Sequence, residues 1–360
     1  MDKYRVVQWG AGYTGKFALR YILSHPDCEL VGLLCSTEDS VGKDAGTLAG
    51  LGETGIVATR DADALIALRP DAISLMAFNR HEDPSLIMDT DGSWVALCIR
   101  MLEAGINVVS PMIQPSHWRH MAQGEAFRAR IEAACAKGSS TVHFTGFDPG
   151  FATDAAVYMM SSAVGEVTQV RTWEFIDVSS YTAVETLQMM GFGTVPQPMP
   201  PGAEHPFRIG WGGALHLLGD AFGVTIEDMT LDFDAYVSPT AFTTPGGLHV
   251  AAGTLGAISW SLNGIVDGKV FAKLHHVTRA SAEMAPDWPN IGTDGGYRIE
   301  LDSFPPFRGD FPMGLPGGTG SSFMDAMAMT AARCINAIPT VIEAGPGMKT
   351  FLDLPLFGAR

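Results

Sequence analysis

The chain has 360 residues, 46% of them hydrophobic and 17% charged, with a formal net charge of -16 at pH 7. One hydrophobic core rarely serves more than roughly 250–300 residues, so two domains are expected. The acidic balance argues against nucleic acid or an anionic membrane as partner, because both call for a basic face.

Five scattered cysteines without C-x-x-C spacing argue against structural zinc and point to a reducing cytoplasm. The N-terminus has no basic-then-apolar leader pattern. The longest nearly apolar run, 250–262, is shorter than the ~18–20 residues of a membrane span. A soluble protein is expected.

In chain order, residues 4–9 read as a short buried strand that runs into Gly10-Ala11-Gly12-Tyr13-Thr14-Gly15 and then a helix from Lys16. Strand, G-x-G-x-x-G and helix in that order form the dinucleotide-binding fingerprint. Gly10 makes the tight turn, Gly12 admits a pyrophosphate, and Gly15 lets helix and strand pack closely. The helix N-terminus offers unpaired N–H groups and partial positive charge to phosphate.

A second strand is predicted over 29–35. An acid at its tip would hold the ribose of NAD. Here the tip is Cys35-Ser36-Thr37, two hydroxyls without an acid, which suits a 2′-phosphate with Lys43 as counter-charge. NADP is therefore favoured, while Glu38 turning inward would favour NAD.

A glycine-rich excursion over 38–55 precedes a short strand at 56–59 and a helix over 62–68 capped by Asp61. Strands over 72–78, 107–110 and 141–146 alternate with helices over 94–104 and 116–136, which implies a parallel sheet covered on both faces. Phe78 and Asn79, where the third strand opens into its loop, fall at a carboxyl end that lines the ligand crevice.

Beyond residue 147 the strands lengthen and alternate, at 168–178, 225–238, 250–267, 269–281 and 297–303, as in an antiparallel or mixed sheet with one wet face. Helices are predicted over 153–163, 182–190 and 214–222, with a Pro-rich crossover at 195–206. A Gly/Pro-rich stretch at 305–320 leads to a last helix over 322–337. The expected fold is thus α/β: a Rossmann domain over 1–147, a substrate and dimerisation domain over 148–319 on a mixed sheet, and a C-terminal part, 320–360, packing back on the first.

The pieces Val7-Gln8-Trp9-Gly10-Ala11-Gly12, Val41-Gly42-Lys43-Asp44-Ala45-Gly46, Gly146-Phe147-Asp148-Pro149-Gly150-Phe151 and Asn336-Ala337-Ile338-Pro339 resemble the dihydrodipicolinate-reductase-like oxidoreductases that include 2,4-diaminopentanoate dehydrogenase and the native amine dehydrogenases. The resemblance runs from end to end. It implies NAD(P)-linked reduction of C=N or C=O, a dimer formed through the second-domain sheet, and a small amine, imine or carbonyl substrate. It also implies a glutamate after the strand at 107–110, where this chain has Pro111-Met112-Ile113-Gln114. The family's Asn-Pro-Gly-Phe is here Asp148-Pro149-Gly150-Phe151.

Asp148 is the candidate catalytic carboxylate, for charge balance at an iminium or for proton relay, against an Asx-turn or cap. Gln114 and Tyr181 are candidate substrate-binding residues, and Glu174 is a weaker one. The cofactor set is Gly10, Gly12, Tyr13, Thr14, Gly15, Ser36, Thr37, Lys43, Phe78 and Asn79. His143 reads as a core histidine, Asp154 as a first-turn helix acid, and His249, His275 and His276 as sheet residues without metal spacing. No G-x-S-x-G elbow supports a serine nucleophile. A non-catalytic dinucleotide sensor is the competing expectation, motivated by the missing glutamate.

Overall fold

A computed structural model describes residues 2–76, 93–111, 124–200 and 202–360. The chain divides into two compact units, Met1–Phe151 with Met327–Arg360, and Ala152–Ala326.

The first unit opens with β1 (Tyr4–Trp9), α1 (Tyr13–Ser24), β2 (Cys28–Leu34), α2 (Ala45–Leu48), α3 (Ala62–Ala67) and β3 (Ala72–Leu75). It continues with α4 (Ser93–Glu103), β4 (Asn107–Ser110), α5 (Gly124–Gly138) and β5 (Thr141–Phe144). Its sheet has the order β14-β5-β4-β3-β1-β2, where β14 is Gly347–Lys349, and every pairing is parallel. The strands carry Val6, Val7, Ile73, Leu75, Val108 and Val142, all buried, because a parallel sheet is covered on both faces. β2 and β3 flank β1, so the order reverses at β1, and ligands of such sheets bind outside the carboxyl ends at that point.

The second unit contains α6 (Ala155–Ser161), β6 (Gly165–Asp177), α7 (Val184–Met189), α8 (His205–Phe222) and β7 (Asp228–Val237). There follow the small pair β8 (Phe242–Thr243) and β9 (His249–Val250), then β10 (Leu255–Val266), β11 (Lys269–Arg279), β12 (Gly295–Phe304) and β13 (Phe307–Met313). Its main sheet, β13-β12-β6-β11-β10-β7, is mixed: β11 and β6 run parallel and the other neighbours antiparallel. α8 packs on one face, with Phe207 against Trp260 and Phe233. The last helix, α9 (Ser322–Glu343), lays Ala331, Cys334, Ile335, Ile338 and Val341 into the core of the first unit.

Several elements differ from the pattern-based reading. The excursion at 38–55 contains α2, capped by Asp44, whose carboxylate accepts from the backbone N–H groups of Gly46, Thr47, Thr54 and Gly55. A Cβ on Gly46 would stand 1.9 Å from the Gly52 carbonyl oxygen, so the Val41–Gly46 motif is a tightly closed loop. Residues 56–59 form only isolated bridges, Leu34 with Thr59 and Asp44 with Val57. α8 begins nine residues before the predicted start, because Pro206 sits in its first turn, where proline costs no hydrogen bond. β13 lies in the Gly/Pro-rich stretch 305–320, where no strand was predicted. α9 continues through Pro339, held by a buried apolar face on either side of it. Among the described residues no helix is long and apolar enough to cross a membrane.

Candidate functional site

In the first unit the loop after β1 has the geometry its glycines predict. Gly10 takes a φ of +95°, which favours glycine, and its N–H donates to the Leu34 carbonyl at 2.8 Å. A Cβ on Gly15 would stand 2.2 Å from the Gly10 oxygen, so helix and loop touch there. A Cβ on Gly12 would meet nothing within 4 Å, which leaves open space above the loop. No side chain caps the start of α1 at Gly12. Buried Gln8 pins the loop from below, its amide donating to the carbonyls of Trp9 and Gly10 at 3.1 and 3.0 Å. Tyr13 is exposed at the helix start, and the Thr14 hydroxyl donates to the Met327 sulfur. This cradle fits a dinucleotide pyrophosphate: close backbone, open space and a helix N-terminus.

Ser36 and Thr37 are exposed at the tip of β2. Glu38 does not turn inward. It pairs with Arg60 at 2.6 Å, and the same guanidinium donates to the Ser36 carbonyl at 3.2 Å. That pairing holds the Glu38 carboxyl below its usual range. Lys43 is exposed on the same loop, so Arg60 is the cation bonded to the tip. Phe78, Asn79 and Gln114 lie outside the described residues.

Asp148 sits in a turn closed on itself. Thr145 donates its hydroxyl to the Gly150 carbonyl, and a Cβ on Gly150 would lie 2.1 Å from the Gly146 nitrogen. Phe147 stacks obliquely on Phe151, and Arg333 covers Phe151 and Phe357. The carboxylate is half-buried, with Oδ2 sealed from solvent. The helix acid Asp154 is the N-cap of α6.

In the second unit, Tyr297, Glu174, His276 and Trp260 stand directly opposite one another on β12, β6, β11 and β10, in one row across the sheet. Tyr297 donates its hydroxyl to Glu174 Oε1, and His276 Nδ1 lies 2.9 Å from Oε2. Burial alone would raise the Glu174 pKa, but the His276 charge and the two hydrogen bonds outweigh it and keep the carboxyl below its usual range. His276 stacks on Trp260 with ring centroids 3.9 Å apart, and Trp211 of α8 meets both rings edge-on. Tyr297 and His276 are sealed at 2% and 3% exposure, whereas the Glu174 side chain keeps 19%, so the open end of this network is a carboxylate. Tyr181 packs on Phe323, centroids 4.4 Å apart, in the same unit. On the opposite face Trp173 stacks on His275.

The five cysteines are free thiols, buried, and burial raises each pKa above the ordinary thiol range, so none is poised as a nucleophile.

Residues 151–360 match the family described as the 2,4-diaminopentanoate dehydrogenase C-terminal domain. The chain belongs to that family. It is 30% identical to an amine dehydrogenase of Streptomyces virginiae, covering 97% of this chain and 96% of the relative. It is 22% identical to 2,4-diaminopentanoate dehydrogenase of Acetoanaerobium sticklandii, covering 99% of this chain and 94% of the relative. Its fold matches the structure of an amine dehydrogenase from Mycobacterium smegmatis with a TM-score of 0.75 at 17% identity, over 99% of this chain and 97% of that one. The protein is an oxidoreductase, and its relatives are enzymes rather than sensors.

Pattern reading did not single out Gln8, Arg60 or Tyr297, which the structure places under the glycine loop, at the β2 tip and on Glu174, and it gave Glu174 less weight than Tyr181. Gln8 had a usable signal, a polar residue inside a buried strand just before the glycines. Arg60 and Tyr297 had none, since each meets its partner through pairing 22 or more residues away.

Proposed function

We propose that this family member oxidises a small amine to the imine or carbonyl, or reduces the imine or carbonyl, with a nicotinamide dinucleotide held at Gly10, Gly12, Tyr13, Thr14 and Gly15. The observation that carries the proposal is the ionised Glu174 bracketed by His276 and Tyr297. Bound at the cradle, the dinucleotide supplies a hydride acceptor or donor. An amine that has lost hydride is an iminium cation, which takes up water and releases ammonium to leave a ketone. That cation calls for a carboxylate, and the segment Met112-Ile113-Gln114 has none. Glu174 is the carboxylate proposed for it: the two donors keep it charged and fix its direction, and the rings of Trp260 and Trp211 pack on the His276 imidazole behind it. Asp148 remains the proposed proton relay, and Gln114 and Tyr181 the proposed substrate contacts.

The exposed hydroxyls at Ser36 and Thr37, with Lys43 nearby in the loop, favour NADP over NAD. Five buried thiols fit a reducing cytoplasm. A homodimer through the open face of the second sheet is supported by the half-buried Trp173–His275 stack and the Arg171 pair with Glu300 on that face.

The test is NADPH consumption with ketone-plus-ammonium, cyclic imine and carbonyl panels, in wild type and in Asp148→Asn. Turnover with at least one class, reduced about 100-fold in the variant, is expected. NADPH binding without turnover on any panel refutes the reading.

A further inference from the structure

Gln8 is wholly buried in β1, at a position where a parallel sheet covered on both faces calls for an apolar side chain. Its carboxamide Nε2 donates to the Trp9 and Gly10 carbonyls, while its Oε1 is sealed from solvent with no hydrogen-bond partner. A sealed oxygen without a donor costs stability that an apolar side chain would not lose. What an apolar side chain lacks is the pair of donors. The Trp9 carbonyl has a second donor in Met76 N–H at 2.8 Å, so the Gly10 carbonyl is the one that Gln8 governs. The Gly10–Ala11 peptide is trans and planar, so its N–H points opposite to its carbonyl. With the Gly10 oxygen tied down to Gln8, the Ala11 N–H is turned outward. The space beside it is open, since a Cβ on Gly12 meets nothing within 4 Å. A Cβ on Gly15 would stand 2.2 Å from the Gly10 oxygen and 3.5 Å from Gln8 Nε2, so helix start, carbonyl and amide are packed together.

We propose that Gln8 is a positioning residue for the cofactor: by holding the Gly10 carbonyl down, it keeps the Gly10–Ala11 peptide in the orientation that presents the Ala11 N–H to a pyrophosphate oxygen. The inference rests on the dinucleotide reading above. Gln8 itself touches no ligand and acts through the peptide. Without its amide the Gly10 carbonyl loses its donor below, and a flipped peptide would turn that oxygen, the negative end of the peptide dipole, towards the phosphates. A hydrogen bond to a charged phosphate is then exchanged for a repulsion. The pyrophosphate is common to NAD and NADP, so Gln8 acts on both cofactors alike and takes no part in telling them apart.

The test is fluorescence titration of NADPH and NADH, with ADP-ribose as competitor, into wild type, Gln8→Met and Gln8→Glu, beside thermal melts of the unliganded proteins. Gln8→Met keeps the length of the side chain and removes both donors. It should weaken NADPH, NADH and ADP-ribose by about tenfold or more each, and by the same factor within about threefold, because all three carry the pyrophosphate. Gln8→Glu keeps the shape and makes the donor depend on protonation, since an ionised carboxylate only accepts and a protonated one donates. Its NADH affinity relative to wild type at the same pH should be weaker at pH 8 than at pH 6 by about threefold or more. A Gln8→Met protein that melts lower but binds all three ligands as wild type does, a loss confined to one of the two cofactors, or a Gln8→Glu ratio that does not move between the two pH values, overturns the role given to Gln8 while leaving the dinucleotide reading intact. Wild type that binds neither cofactor overturns both.

Discussion

His276 Nδ1 faces Glu174 Oε2 at 2.9 Å, directly across the parallel pair β11 and β6. An ionised carboxylate only accepts, so the imidazole presents Nδ1–H to it, and Tyr297 donates from the antiparallel side. The pleat puts all three side chains on one face, and Trp260 and Trp211 hold the imidazole plane.

Tyr297→Phe removes one donor to the charged form of Glu174 and leaves the ring in place. The carboxyl then protonates at higher pH, so the acid limb of the pH–rate profile should move upward. kcat/KM at neutral pH should fall about tenfold or more, as for a lost hydrogen bond to a charged group. A profile that keeps its shape while activity merely scales down would assign Tyr297 a packing role.

The cradle glycines separate binding from folding. Gly15→Ala drives a Cβ onto the Gly10 backbone and should cost about 1–3 kcal/mol of stability together with dinucleotide binding. Gly12→Ala meets only open space, so its melting temperature should match wild type while NADPH affinity falls about tenfold or more. Thermal melts beside fluorescence titration read both. Full affinity in Gly12→Ala would mean that no phosphate lies above the loop.

His143 links stability to pH. Its Nδ1 lies 2.8 Å from the Lys349 carbonyl, and burial pushes its pKa down to about 4. In the unfolded chain it titrates near the ordinary histidine value of 6.5, so the unfolded state takes up the proton first as pH falls. Stability from this group is therefore complete above about pH 6.5 and is lost towards pH 4, by at most roughly 3 kcal/mol. Urea unfolding at pH 7 and pH 4.5 should show a smaller pH dependence in His143→Gln than in wild type. Equal dependence in the two proteins contradicts this assignment.

The local features were legible and the cross-strand ones were not. β1, the glycine loop and α1 are contiguous, so spacing alone identifies them, and Asp61 announces its helix as a cap. The row Tyr297–Glu174–His276–Trp260 depends on the register of four strands, with Glu174 and His276 102 residues apart, and no periodicity carries register at that range. Arg60 reaches its place through a single bridge between Leu34 and Thr59. The short strands β13 and β14 contain Gly or Pro and take their order from neighbours rather than propensity.

The most direct test of the account is Glu174→Gln, assayed for turnover on an accepted amine or ketone-plus-ammonium substrate and, in parallel, for NADPH affinity. Loss of about 100-fold or more in kcat, with NADPH affinity within about threefold of wild type, is the predicted result. Turnover within about threefold of wild type would show that the charge partner of the substrate nitrogen lies elsewhere.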